Sequence, residues 1–265
     1  MVRRIMLGSI ESAGWVVTVF PVTTIDLDPA PIAPPGALGE RVTLPCNLVL
    51  LRGHGRVVLI DAGFGPLTFV LPGVTEDIDA RLAEAGTSRA EIDTIILSHG
   101  DFDHIGGLVI GTWPDSLVPA FPNARVAVNV AAADFVRDLP EDAADHMATR
   151  ILDVIRRAGL LDEVADGDEV APGIRLVAAP GHAPGHCVVE LGDYVHAVDV
   201  LHHVQHVPNP EWDQGFDRDP AQGLATRNAW IERLAADGRI VSFAHIEGFG
   251  RIERDGDAFR FAPLA

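Results

Sequence analysis

Apolar and polar positions in this chain fall into short runs that mark strands and helices in turn. Trp15–Val22 is β-branched and apolar, as a strand requires. Asn47–Leu51 and Val57–Asp61 are apolar runs joined by Arg52-Gly53-His54-Gly55-Arg56, which predicts a hairpin. Thr94–Leu97 reads as a buried strand that stops at Ser98. Arg125–Asn129, Ile174–Ala179, Cys187–Leu191, Tyr194–Val200 and Ile240–Ala244 predict further strands. Helical spacing covers Glu76–Ala85, with Thr75 as N-cap and Gly86 just past the end. It recurs in Ala131–Asp138 and Ala143–Ala158, separated by Pro140, and in Pro220–Ala236, stopped by Gly238. Arg251–Phe261 folds back on Asp255-Gly256. Hairpins mixed with helices predict an α/β (α+β) chain with antiparallel or mixed sheets and helices outside.

Asp26–Glu40 breaks the pattern, with Pro29, Pro31, Pro34, Pro35, Gly36 and Gly39. A loop of this length serves either as a lid or as a surface excursion.

The densest chemistry is His99-Gly100-Asp101-Phe102-Asp103-His104, two imidazoles and two carboxylates directly after a strand. Nitrogen and oxygen donors at that density suit a first-row transition metal. Further candidates fall at the ends of other predicted strands: His182 and His186 in Pro180–His186, then Asp199, then His245. One such residue per strand end is what a site on one sheet edge requires.

Composition narrows the chemistry. The 265 residues are 48% hydrophobic, enough for a substantial core. A formal charge of −18 repels phosphate backbones and argues against nucleic acid. All 20 basic residues are arginine. Schiff-base, pyridoxal-phosphate and P-loop lysine chemistry are thereby excluded. Cys46 and Cys187 lie far apart in apolar runs and read as small core residues, not as ligands or a disulfide. The first residues carry no apolar stretch of signal-peptide length, and no run reaches membrane-spanning length. A cytoplasmic protein that binds neither membrane nor nucleic acid is the expectation.

Ser98–Gly107 resembles the H-x-H-x-D-H-x-G-G motif of the metallo-beta-lactamase superfamily. Ala178–His186 resembles that family's third-ligand loop, and Asp61 with Gly63 its early Asp-x-Gly turn. Asp199 and His245 fall where its bridging Asp and last His fall. The order and spacing match over roughly residues 45 to 250, most closely in the methyl-parathion-hydrolase and acyl-homoserine-lactonase branch. The resemblance implies one domain over residues 1–265, folded as an αββα four-layer sandwich with two divalent metal ions at one edge. Carried over, His99, position 101 and His182 form one metal site; Asp103, His104 and His245 form the other; Asp199 bridges. Zinc is the first expectation for both ions. The implied activity is a metallo-hydrolase that opens a small ester, lactone or phosphotriester with a metal-bound hydroxide, Asp103 receiving the proton. His202 stands where lactonases of this fold carry a Tyr that polarises the substrate carbonyl, and where the phosphotriester branch uses His; a strand-end surface role is equally open.

Asp101 departs from the motif, which has His there. A fourth negative charge at a two-metal core leaves it formally neutral and shifts preference toward iron or manganese. The flavodiiron proteins of the superfamily resemble this in placing Glu at that position. Asp is shorter than His or Glu, so direct ligation, contact through water and a weak first site all stay open. Two other readings follow: a di-iron redox enzyme, and a metal-binding homologue without activity. The partner expected is a small-molecule substrate, and a homodimer is one assembly open to the chain. His186 is expected to support the ligands, and His203 and His206 to lie in a solvated loop. His54, His146 and His196 are expected to be structural or on the surface. Phe64, Leu67, Phe69, Trp212 and Phe216 either line an apolar pocket or pack ordinarily.

Overall fold

The computed structural model describes residues 8–137, 139, 146–212 and 215–264. In chain order the first part holds β1 (Gly8–Ser12), β2 (Trp15–Leu27), β3 (Val42–Gly53), β4 (Arg56–Ile60), α1 (Ile78–Glu84), β5 (Thr94–Leu97), α2 (Phe102–Ile105), β6 (Val109–Thr112), β7 (Ser116–Pro119), β8 (Arg125–Asn129), α3 (Val130–Arg137), α4 (His146–Arg157) and β9 (Leu161–Val164). The second holds β10 (Glu169–Ala171), β11 (Ile174–Ala178), β12 (Cys187–Leu191), β13 (Tyr194–His196), α5 (Pro220–Asp237), β14 (Ile240–Ser242), β15 (Gly250–Asp255) and β16 (Ala258–Pro263). Two seven-stranded mixed sheets result, ordered β1-β2-β3-β4-β5-β8-β9 and β10-β11-β12-β13-β14-β15-β16, with β6-β7 as a separate hairpin.

The layers follow from how the apolar runs divide. Along β3, β4 and β5, alternate side chains enter different cores. Leu48, Leu50, Leu59, Ile95 and Leu97 pack with Leu82 of α1, Val136 of α3 and Ile151 and Leu152 of α4. Val49, Leu51, Val58, Ile60 and Ile96 pack against Leu176, Val189 and Tyr194 of the second sheet. Val188, Val195 and Val241 face outward onto Trp230, Ile231 and Leu234 of α5. Both faces of the central strands are covered, which explains their unbroken apolar runs. The order is therefore helices, sheet, sheet, helix, as the sequence predicts. No helix among the described residues is long and apolar enough to cross a membrane.

Several elements differ from the sequence reading. Periodicity does not mark the short strands β1, β6, β7, β9 and β10, and β2 continues past Val22 to Leu27, into the stretch expected to be loop. The strand expected over Tyr194–Val200 ends at His196, because Val198 takes φ +48° and the chain turns into a 3-10 helix over Val198–Val200. Asp77, not Thr75, caps α1 by accepting from the Ala80 amide. Glu76 instead accepts from the amides of Phe64 and Gly65. Asp138, Pro140 and Ala143–Asp145 lie outside the described residues.

Parallel β4, β5 and β8 all end on the same edge, so Asp61, Ser98 and the residues after them meet there. The second sheet delivers the loops after β11, β13 and β14 to that edge. Backbone bonds from Cys187 N to Ser98 O (3.0 Å) and from Asn47 N to Ala244 O (2.8 Å) tie the sheets together at this point. Gly106 and Gly107 allow close passage behind it: a Cβ at Gly107 would fall on the Ala62 carbonyl oxygen, and one at Gly106 on that of Phe64. Gly107→Ala is therefore expected to cost about 3 kcal/mol or more, as overpacking against backbone does. A urea midpoint unchanged from wild type would contradict this close packing.

Candidate metal centre

After β5 the chain leaves the strand through Ser98–Asp101 and turns into the single helical turn α2. Asp101 takes the N-cap position, and its carbonyl accepts from the amides of His104 and Ile105. Its side chain does not cap the helix. The carboxylate instead faces inward, with Oδ2 3.3 Å from His182 Nε2 and 3.7 Å from His99 Nε2. Oδ1 lies 3.4 Å from Arg218 Nη2. Asp103, two residues on, places Oδ2 3.6 Å from His104 Nε2 and 3.5 Å from His245 Nε2.

Asp199 sits between these two groups. It lies on the 3-10 turn after β13, not at a strand end. Its Oδ2 is 3.3 Å from His182, 3.4 Å from His104 and His202, 3.5 Å from His245 and 3.7 Å from His99, measured to Nε2 in each case. His186 holds this turn: its Nδ1 donates to Ala179 O at 2.7 Å, and its Nε2 accepts from the Asp199 amide at 3.4 Å. His202 stacks on His245 at 5.3 Å and 9°. The structure thus brings together His99, Asp101, Asp103, His104, His182, Asp199, His202 and His245.

The other ring nitrogen of each key histidine is fixed from behind. Asp61 accepts from the Ser98 amide and hydroxyl, both at 2.8 Å, and from His104 Nδ1 at 2.8 Å. Since the Ser98 hydroxyl proton goes to Asp61, its oxygen accepts from His99 Nδ1 at 2.9 Å. His182 Nδ1 faces Asp217 at 3.3 Å, and Asp217 pairs with buried Arg227 at 3.2 Å. His245 Nδ1 donates to Pro45 O at 2.9 Å. Every Nε2 is thereby left as the inward-facing nitrogen, the arrangement that orients metal-binding histidines.

The donors fit a metal. Nε2 of His99, His104 and His182 and Oδ1 of Asp199 are buried without a hydrogen-bond partner. Orphaned buried polar atoms of this kind call for an ion or water. The nitrogen–oxygen separations above are mostly too long for hydrogen bonds. They match two donors sharing one tetrahedral ion, which lie roughly 3.3 Å apart. His99, Asp101 and His182 have ligand atoms within 4.8 Å of one another, as do His99, His104 and Asp199.

Electrostatics point the same way. Burial opposes the charge on Asp199, yet His104 and His245 hold its carboxyl well below the usual range. Burial likewise opposes charge on Asp101, and the facing imidazoles of His182 and His99 hold it low. Burial works against protonated His182, but Asp101, Asp217 and Asp199 raise it to about 9. His104 and His245 are held well above the ordinary value despite burial, chiefly by Asp199. Burial, with His104 beside it, lowers His99.

A cavity of about 850 Å³ opens onto the centre. Ile25, Leu27, Leu44, Leu71, Val74 and Phe216 give it apolar walls; Asp103, His182, His202 and His245 lie at its base. Asp28, Pro31 and Arg41 of the Pro-rich loop line it, and Ile32 and Ala33 of the same loop are buried, so the loop packs onto the protein. His206 is buried, not solvated: its Nε2 donates to Ile32 O at 2.6 Å, and burial pushes its pKa to about 3. Phe64 and Leu67 are core residues, Phe69 is exposed, and Trp212 packs beside His206. Of the five candidate loop hydrophobes, Phe216 lines the cavity.

Sequence reasoning missed Asp217, Arg218, Arg227 and the position of Cys46. Asp217 and Arg218 precede the helix start Asp219-Pro220 and read only as a helix N-terminus. Cys46 is buried, as expected, but its sulphur lies within 4.8 Å of ligand atoms of Asp103 and His245.

The sequence profile of the metallo-beta-lactamase superfamily matches residues 41–245. A probable metallo-hydrolase of Mycobacterium bovis is 24% identical over 192 residues, covering 61% of this chain and 58% of that protein. The chain thus spans little more than half the length of that relative. An N-acyl homoserine lactonase of a Bacillus species is 28% identical over 229 residues, covering 78% of this chain and 83% of the relative. In structure, the dizinc quorum-quenching lactonase AidC superposes with a TM-score of 0.85 at 21% identity, covering 98% of this chain and 97% of its own. The hydrolase AbOPH gives 0.85 at 22% identity, covering 100% and 99%.

Metal uptake should be coupled to proton release. His182 titrates near 9 and His104 and His245 are also raised, so all three hold protons at neutral pH before metal enters. Ligation needs neutral imidazole, so zinc must displace those protons. Apparent zinc affinity is expected to rise from pH about 6 to about 9 and to weaken as pH falls. Chelator competition across that range, with calorimetry in buffers of different ionisation heat, would measure it. A pH-independent affinity would contradict the arrangement.

Proposed function

The chain belongs to the metallo-beta-lactamase superfamily, and from that premise we propose that it is a metallo-hydrolase that opens a small lactone bearing an apolar tail. The observation that carries this reading is the apolar cavity of about 850 Å³ ending at the cluster of inward-facing donors. Such a volume suits a ring with a flexible chain. Asp26 at its wall is paired with Arg41 at 3.2 Å, which leaves Asp28 as the acidic group there. The lactonase relatives support the choice of a cyclic ester.

His99, Asp101 and His182 would hold one divalent ion, Asp103, His104 and His245 a second, with Asp199 shared between them. Zinc is our assignment for the second site; the extra carboxylate at 101 opens the first to iron or manganese as well. Metal held there would lower the pKa of water toward neutrality and polarise a carbonyl oxygen. Asp103 faces the cavity beside His104 and His245 and would take the proton of the attacking water and return it to the departing alcohol. Burial lowers the His202 pKa, so a neutral imidazole on the cavity wall would orient the carbonyl by one hydrogen bond. The substrate would lie with its tail along Ile25, Leu44, Leu71 and Phe216, away from the donors. The partner proposed is thus a small molecule, with neither nucleic acid nor membrane.

The test is hydrolysis of a panel of acyl homoserine lactones, linear esters and phosphotriesters by zinc-loaded protein. Lactones are expected to react fastest. Their kcat/KM should rise with acyl length by up to roughly fourfold per methylene, the value of burying one CH2. Asp103→Ala should lose at least about 100-fold in activity, the usual share of a proton-transfer group. A flat dependence on tail length, or faster phosphotriester turnover, would overturn the lactone reading.

A further inference from the structure

We propose that Cys46 is a sulphur ligand of the second metal site, joining Asp103, His104 and His245. A buried cysteine usually acts as a small apolar filler. Cys46 is buried at 4% exposure within the core beside Phe20 and Val22. Its surroundings on the other side are not apolar. Its Sγ and the ligand atoms of Asp103 and His245 all lie within 4.8 Å of one another. Sulphur and nitrogen donors on one tetrahedral zinc lie roughly 3.6 Å apart, so that spacing admits a shared ion.

Three successive residues of β3 clamp the loop that carries His245. Pro45 O accepts from His245 Nδ1 at 2.9 Å, which turns Nε2 inward. Asn47 Nδ2 donates to Phe243 O at 3.0 Å and Ile246 O at 2.8 Å, on either side of His245. Cys46, between them, therefore meets the imidazole in a fixed relation. From the opposite side, buried His104 Nε2 lacks a hydrogen-bond partner and faces the same Asp103 carboxylate at 3.6 Å. The unpartnered nitrogen of His104 and the thiol of Cys46 thus both lie near the Asp103 carboxylate.

The consequence is an asymmetric centre. Asp101 adds a hard oxygen donor beside His99 and His182, whereas Cys46 adds a soft sulphur donor on the other side of Asp199. Thiolate biases its side toward zinc or cobalt over manganese. The inference rests on the proposed two-metal reading, and the experiment separates the two.

Cobalt(II) is titrated into the metal-free full-length protein and followed by absorption. Visible ligand-field bands report occupancy by any donor set. A near-ultraviolet thiolate-to-cobalt charge-transfer band reports sulphur. Wild type and Cys187→Ser are expected to show both. Cys46→Ser should keep visible bands, lose the charge-transfer band and bind cobalt at least roughly tenfold more weakly at one site. Its manganese affinity should stay nearly unchanged. Should Cys46→Ser fold poorly, the charge-transfer band in wild type and in Cys187→Ser still decides the matter, since those chains retain Cys46. Cobalt bound with visible bands but no charge-transfer band in wild type would overturn the Cys46 assignment alone. A charge-transfer band persisting in Cys46→Ser would also overturn it. No cobalt uptake by wild type would overturn the metal centre and this inference with it.

Discussion

The whole centre turns on one buried carboxylate, Asp61. It stands directly after β4 with φ +61° and is 1% exposed. Its two oxygens take hydrogen bonds from the Ser98 amide, the Ser98 hydroxyl and His104 Nδ1. Through the serine it also determines which nitrogen of His99 carries the proton. A single side chain just past β4 thus fixes the tautomers of two histidines that follow β5. The strained φ of a non-glycine residue is offset by these bonds, which hold the carboxylate in place. The fold's contribution is to end parallel β4 and β5 in register, so that Asp61 and Ser98 meet without any loop to bring them together.

The same logic supports the other histidines, but with different materials. His182 is backed by Asp217, itself held by Arg227 of α5. His245 is backed by a backbone carbonyl of β3. Both sheets and the outer helix therefore each hold part of the site. Displacing any layer would misdirect an Nε2, and this links packing in the three cores to the chemistry at the edge. The differences between backing groups matter too. A carboxylate behind an imidazole makes it more basic, whereas a carbonyl does so less.

Much of this was legible in the sequence, for physical reasons. Strands covered on both faces leave unbroken apolar runs, so β4, β5, β8 and β12 could be placed closely, whereas β3 runs over Val42–Gly53, well beyond the Asn47–Leu51 run that marks its centre. Donors after strand ends form a recognisable order, and His99, Asp103, His104, His182 and His245 converge in the structure as that order suggested. What escaped notice depends on contacts distant in sequence. Asp217 meets His182 across 35 residues, and nothing local distinguishes it from a helix-start Asp. Cys46 alternates correctly for a core strand, so its burial was legible while the imidazole across from it was not. Asp199 could be named but not placed, because the turn at Val198 depends on a positive φ that a valine gives no hint of. His206 looked solvated because it lies among polar residues and prolines; its partner is the Ile32 carbonyl of the Pro-rich loop, 174 residues earlier.

Three carboxylates, buried Asp199 and part-buried Asp101 and Asp103, crowd a space that would not tolerate them alone. An ionised group taken out of water costs several kcal/mol unless it is paired. Here the pairing comes from the histidines themselves. His104, His182 and His245 are raised by the acids, and the acids at 101 and 199 are lowered by them. Protons on three imidazoles thus provide three positive charges opposite three negative ones. Two divalent ions would provide four, and the balance would then call for one more negative charge, a thiolate or a hydroxide from solvent. Holding both would leave one negative charge in excess, and a cation stands beside the centre to offset it: the Arg218 guanidinium lies 3.4 Å from the outer oxygen of Asp101. The departure from the family motif and the arginine beside it are in this sense one feature: the carboxylate is turned toward the centre by two histidines and partly neutralised from outside by a cation.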